Sequence, residues 1–533
     1  MKKLCVVLAL AAVLILLFTA CGEPQTPVPG ASAKVTATTP SAKTATPDKY
    51  GGILKRVTRV GPAGPFGYVP EMEPVGSDIV SHLCIEQLLM QDVDGNYVPH
   101  LAEAWEVAKD HSYIDLQIRK GVKFHDGSDL NAEVVAWNLN EYKRVKKYAD
   151  WGNIDVRDTY TVRINLPYWT NLLMSSLAGG PCKVTSMEAF KKNGLEWVRE
   201  HPVGTGPFKF VSYERDVKMV FARFENYWQK GKPYLDGVED IIIKDAVTQL
   251  MAFKANDFHA IRISGKQAAD LRDAGYDMVL QPTSSVGQWA LMPSSNDPNS
   301  PLADKRIRMA VEYAIDREGI AKATGFGGLE IPTYQIGPVG SAGYIQGLEE
   351  RRYNPEKAKQ LLAEAGHPNG FKMKLIPDPR TLMKDQVEAY QQSLSKVGII
   401  AEIDLPEAGK FNEYISQTAG WPSGMLVQKC AGFPTYTRHL DMYYAGRQYY
   451  GMKLPEGSDK LLAQALQTTY VEPAKVQPFT RALFENATAI PLFLSQGPFF
   501  TQKGYHDHGH LTTGFMSDWT PWDAWLEKSA YIK

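Results

Sequence analysis

From Tyr113 to Arg119 apolar and polar positions alternate, with Ile114, Leu116 and Ile118 on one side and Asp115, Gln117 and Arg119 on the other. A period of two predicts a half-buried strand. Tyr160, Val162 and Ile164 repeat the pattern, with Thr161, Arg163 and Asn165 facing out. Between these strands Ala132, Val135, Ala136 and Leu139 recur at helical spacing and predict a helix over about 131–146. Ile307, Ala310, Val311 and Ala314 predict a second helix. A third opens at Asn354-Pro355, a capping residue followed by proline at the first helical position. Its stripe is Ala358, Leu361, Leu362 and Ala365, and Gly366 stops it. Then come a strand at Phe371–Ile376, a helix over 387–397 and a strand at Ile399–Leu405. Strand, helix, strand in that order predicts an α/β domain with a crossover, part of a second lobe at about 290–490.

The N-terminus follows a different pattern. Lys2 and Lys3 precede an uncharged, largely apolar run from Leu4 to Phe18. That run is shorter than the ~20 residues that cross a bilayer, and it reads as a secretory signal over residues 1–20. Phe18-Thr19-Ala20-Cys21 resembles the lipobox of bacterial lipoproteins, which implies cleavage before Cys21 and lipid on its thiol. The usual Leu three places before the cysteine is Phe18 here. The alternative is an ordinary signal peptide with an incidental cysteine. Gly22–Tyr50 is rich in Pro, Thr, Ala and Ser and cannot bury a core, so residues 21–50 are expected to be a disordered tether.

A chain of 533 residues predicts two or three domains. Net charge is −1, without the basic excess that a nucleic-acid binder needs. There is no C-x-x-C pair, no G-x-S-x-G, no H-E-x-x-H, no phosphate-cradling loop and no G-x-G-x-x-G after a strand. A non-enzyme without a cofactor is expected, with a lipid-anchored hydrolase as the distant alternative. His506, His508 and His510 alternate in His-Asp-His-Gly-His, a string that can chelate a divalent ion but reads first as a solvated loop. No metal site is expected.

Four stretches resemble the family-5 extracellular solute-binding proteins, which feed peptide, nickel and related ABC importers. They are Leu101–Val107 with Ile118–Gly127; Pro202–Phe208 with Asn226–Trp228 and Gly231–Asp236; Leu302–Arg308 with Ala314–Arg317; and Tyr353–Ala358 through Gly366. Each also has a structural reading as turn, close backbone approach or core, and that reading is preferred for every residue in them. The resemblance implies an α/β, type II periplasmic-binding-protein-like fold with two lobes hinged around a cleft and an extra inserted domain. Domain I would comprise 51–85, 166–285 and 495–533, domain II 86–165, and domain III, the second lobe, 286–494. Cys84 and Cys182 fall near the implied junctions of domains I and II, so they are the expected disulfide, with Cys430 free.

The resemblance further implies a monomer at the outer face of the cytoplasmic membrane or in the periplasm, handing a small solute to an ABC permease. A peptide is the first expectation. A sugar, an anionic or metal-chelate ligand, or a sensor role on the same fold are the alternatives. Peptide-binding members carry an acid that pairs with the ligand's ammonium, and the corresponding string here is Lys429-Cys430-Ala431-Gly432-Phe433-Pro434, with Gly432 in the acid's place. Lys429 could therefore meet a carboxylate, or be a surface lysine. Trp289, Trp421, Phe433, Tyr436 and Trp151 are the candidate cleft walls, each with core packing as its alternative.

Overall fold

The computed structural model describes residues 48–532 apart from 63, 73–81, 93–94, 146–150, 180–181, 284–285, 417–419, 434, 446–448, 450 and 508–520. Cys21, His508, His510 and the signal and lipobox residues lie outside the described residues.

Three sheets carry the architecture. The first has seven strands in the order Phe208–Glu214, Lys218–Arg223, Gly237–Ile242, Ile53–Thr58, Ala260–Arg262, Phe499–Thr501 and Asp277–Val279. Ile53–Thr58 runs parallel to Gly237–Ile242, and Phe499–Thr501 runs antiparallel to both its neighbours. The second is a four-stranded antiparallel sheet of Ala102–Val107, Tyr113–Ile118, Thr161–Asn165 and Ile154–Asp158. The helix Ala132–Val145 packs against it, and Ile114, Leu116, Val162 and Ile164 share one apolar core with Leu54, Phe221 and Val238 of the seven-stranded sheet. Tyr160 starts no strand: its N–H caps Asp158 at 2.8 Å, and the strand begins at Thr161.

The third sheet has six strands: Glu330–Pro332, Ile490–Ser495, Gln288–Pro293, Gly424–Cys430, Lys372–Pro377 and Ile400–Ile403. Helices cover both faces, which is why Met425-Leu426-Val427 is continuously apolar rather than alternating. Leu291, Val427 and Leu375 face helices Lys305–Ala314, Pro355–Glu364 and Lys384–Ser395. Met292, Leu426 and Ile376 face helices Tyr436–Tyr444, Ser458–Leu466 and Pro473–Glu485. Lys372–Pro377 and Ile400–Ile403 are parallel, joined by the helix Lys384–Ser395, so the predicted crossover is present.

Caps end these helices as the residue types require. Asn354 accepts from the Lys357 N–H at 2.9 Å with Pro355 at the first helical position. Asp304 and Asp316 cap the helices that follow them. One expectation fails: Cys84 and Cys182 form no disulfide. Cys84, Cys182 and Cys430 are all free and buried. Both of the first two are fully enclosed in the same apolar core, where each thiol packs as a small hydrophobe and its pKa is pushed up by burial.

Candidate functional site

Two crossovers join the seven-stranded sheet to the six-stranded one. One runs from Asp277–Val279 to Gln288–Pro293, the other from Ile490–Ser495 through Gln496-Gly497-Pro498 to Phe499–Thr501. They are bonded to each other: the Ser495 N–H donates to the Gly287 carbonyl at 2.9 Å, and Gln496 Nε2 donates to the Gln281 carbonyl at 3.3 Å. Chains that cross side by side in this way form a hinge between two lobes.

Charged side chains gather at this crossing. Glu330 is buried on the edge strand beside Ser495, whose hydroxyl donates to Glu330 Oε1 at 2.8 Å. Glu330 Oε2 has no hydrogen-bond partner among the described residues. Burial pushes this carboxyl up to about 7, against the opposing pull of Ser495 and Lys429. Lys429 lies opposite Trp289 in the sheet register and is half-buried. Its ammonium is held below its ordinary pKa by desolvation first, and also by Arg262, while Glu330 pulls the other way. Arg262 belongs to the first lobe. It is exposed, its Nε donates to the Gly497 carbonyl at 3.2 Å, and desolvation lowers its pKa.

The string beyond Lys429 leads towards the first lobe. The Ala431 N–H donates to Tyr443 Oη at 2.7 Å, and the Thr435 hydroxyl meets Gln91 Nε2 at 2.6 Å and Tyr97 Oη at 3.1 Å. The lobes touch again at Asn171. Its N–H donates to the Leu466 carbonyl at 2.7 Å, its Nδ2 to the Ala465 carbonyl at 2.8 Å, and its Oδ1 accepts from the Thr437 hydroxyl at 3.1 Å. Trp169 Nε1 donates to the Thr468 carbonyl at 2.9 Å, and His111, stacked on Trp169, meets the Thr469 hydroxyl at 3.0 Å.

The family model described as "Bacterial extracellular solute-binding proteins, family 5 Middle" matches residues 96–449. The chain belongs to this family. It is 32% identical over 320 residues to the glutathione-binding protein GsiB of Salmonella choleraesuis (strain SC-B67). That match takes in 58% of this chain and spans 61% of the relative's length. Among solved structures, DppA from Helicobacter pylori in complex with peptide STSA superposes with a TM-score of 0.74 at 19% identity, covering 90% of this chain and 99% of that one. The binding protein AgaA in complex with agropinic acid, from A. tumefaciens R10, gives 0.72 at 24% identity, covering 89% and 99%. These likenesses establish the two-lobed type II fold.

The family's signature stretches have structural work in this member. Glu86, fully buried, accepts from Thr205 Oγ1 at 2.7 Å, Tyr227 Oη at 2.7 Å and Trp228 Nε1 at 3.0 Å, and pairs with His100 at 3.1 Å. These bonds hold its carboxyl below the usual range despite desolvation. Arg308 gives its guanidinium to the carbonyls of Ala487, Leu302 and Asn486, and Arg317 to that of Pro491.

Of the residues singled out in the sequence, Trp289 and Lys429 stand side by side, while Trp421, Phe433 and Tyr436 belong to one apolar cluster on the opposite face of the six-stranded sheet. Trp151 packs in the first lobe's core, in a separate cluster. The indole N–H groups of Trp289, Trp421 and Trp151 are buried without partners among the described residues. His506 stacks on Trp525 at 3.9 Å and meets Glu527 at 3.0 Å; no group of three metal-ligating side chains occurs among the described residues. Arg262, Glu330 and Asn171 went unnoticed in the sequence, where nothing marks them. Asn171 stands at the N-cap position of the helix Leu172–Leu177, yet its side chain makes no cap bond and serves the other lobe instead.

Proposed function

We propose that this protein is the solute-capturing lipoprotein of an ABC importer, closing its lobes on a small peptide or peptide-like solute and presenting it to a membrane permease. It acts as a monomer by capture without turnover, held by lipid on Cys21 at the outer face of the cytoplasmic membrane or in the periplasm. Family membership supports the transport role, and the glutathione-binding relative makes a peptide the class to test first. The observation that carries the ligand reading is Lys429: a desolvated ammonium at the crossing of the lobes, in the string that has Gly432 where an acid would receive a ligand's ammonium. The ligand is anchored by a carboxylate. Trp289 beside Lys429 supplies apolar wall, and Phe433, next to Gly432, lies with Tyr436 and Trp421 on the other face of the sheet. Tyr436 and Trp421 back that wall from the core, and Trp151 serves the first lobe.

A thermal-shift screen of ligand-stripped protein tests this, using peptides with free and acetylated N-termini, glutathione among them. A ligand at a hundredfold over its dissociation constant stabilises by ~2.7 kcal/mol, so a bound peptide raises the melting temperature measurably. The two series are expected to shift it alike. A strong preference for free amines would mean that an acid holds the ligand and that Lys429 does not. Cys21→Ser is expected to release the protein from the membrane fraction; unchanged processing and retention would refute the anchor.

A further inference from the structure

Lys429 and Arg262 come from different lobes, and two glycines locate them over the crossing. A β-carbon at Gly287 would lie 2.9 Å from Lys429 Cε, and one at Gly497 would lie 3.0 Å from Arg262 Nε. Each cation thus lies over one crossover segment. Those segments are paired, Ser495 N–H to Gly287 carbonyl, and Gly497 is two residues beyond Ser495. The two segments are bonded side by side, and the two cations are near enough to repel, Arg262 helping to hold the Lys429 ammonium below its ordinary pKa. Glu330 stands beside them, tied to Ser495 through Oε1.

We propose that Arg262 and Lys429 form one carboxylate subsite that straddles the hinge, so that the ligand's acidic group joins the lobes as they close. The proposal rests on the transport reading above and names what the cleft selects: solutes with an acidic group placed at its hinge end. The chemistry is complementary. Arg262 offers a planar fork and Lys429 a compact charge, both suited to carboxylate oxygens. Glu330 offsets part of the Lys429 charge from behind and must therefore weaken anion binding, a sign opposite to that of its neighbours.

The test uses mature, ligand-stripped protein and three probes: glutathione, glutathione with both carboxyls amidated, and glutarate as a non-peptide acid. Affinities are read by calorimetry for wild type, Arg262→Gln, Lys429→Gln and Glu330→Gln, with Arg262→Lys and Lys429→Arg as charge-retaining controls. Wild type is expected to bind the acid forms at least tenfold more tightly than the amide. Arg262→Gln and Lys429→Gln should each lose at least tenfold for acids and with it the discrimination against the amide, the controls should retain most of it, and Glu330→Gln should bind acids as tightly or more tightly. Equal binding of acid and amide by wild type, no binding of any acid, or acid binding indifferent to Arg262→Gln overturns the subsite. The wild-type comparison decides even if a variant fails to fold. Glutarate bound through both cations with no peptide bound would uphold the subsite and sink the peptide reading. Peptides bound alike as acid and amide would do the reverse.

Discussion

Glu330 shows what a single buried acid does to the whole chain. Its carboxyl is pushed up to about 7 in the fold, against ~4.3 unfolded. The native state therefore holds the proton more tightly than the unfolded one. The resulting stability is fully present below about pH 4.3 and is lost as pH rises through about 7, at most about 4 kcal/mol in all. Glu330→Gln keeps the shape and removes the titration. Its melting temperature relative to wild type is expected to rise by a few degrees from pH 5 to pH 8. Buried His125 and His439, both held down to about 4, titrate equally in the two proteins and cancel. A wild-type-to-variant difference constant across that range would show that Glu330 is not the titrating group. The three thiols give a second expectation: Cys84, Cys182 and Cys430 should be unreactive in the native protein and all three titratable once it is unfolded. Two titratable thiols fewer in denaturant would restore the disulfide. Residue roles of this kind were only half legible. Lys429 stands in a string that invites attention, whereas Arg262 ends a three-residue strand and Glu330 begins another. Segments that short have no period to read, and only the crossing brings their charges together.

Helices and longer strands were far more legible, because their signals are local. Asn354, Pro355 and Gly366 announce a helix by capping chemistry, and Asn354→Ala should cost about 1 kcal/mol of stability by denaturant unfolding. The stretch Pro202–Phe208 shows the other side of legibility. Its glycines suggest a tight backbone path, and the structure gives the reason: a β-carbon at Gly204 would lie 2.1 Å from the Cys84 carbonyl oxygen, while the Gly206 N–H donates to that same carbonyl at 2.9 Å. The obstacle is backbone, which cannot swing away as a flexible side chain would. Gly204→Ala is expected to destabilise by about 3 kcal/mol or more, shifting the denaturation midpoint without changing the slope. A neutral substitution would mean that the two segments are free to separate. Two-residue strands such as Glu86–Gln87 and Lys183–Val184 carried no such signal, since their pairing is decided by the chain around them.

At the scale of the whole molecule, two kinds of contact hold the lobes together, and they should be separable. The charges at the hinge see the ligand's chemistry. Asn171 instead binds protein to protein: its side chain and N–H take the carbonyls of Ala465 and Leu466 at the end of a second-lobe helix and the hydroxyl of Thr437. All of these bonds are exchanged for bonds to water when the lobes part. Each is worth ~0.5–1.5 kcal/mol net, so they bias the open–closed equilibrium without reference to what is bound. A ligand held only by the closed form has an apparent dissociation constant raised in proportion as the closed fraction falls. Asn171→Ala should therefore weaken every ligand by the same factor, about tenfold, leaving the ratio of acid to amide affinity as in wild type. Thr437→Val, which removes one of the same bonds from the other lobe, should act in the same direction and add little in the double variant. Arg262→Gln should do the opposite and collapse that ratio. Calorimetric titration of the same acid and amide probes into each variant distinguishes them: an Asn171→Ala protein that loses acids and amides unequally would place Asn171 in contact with the ligand and end its reading as a clasp.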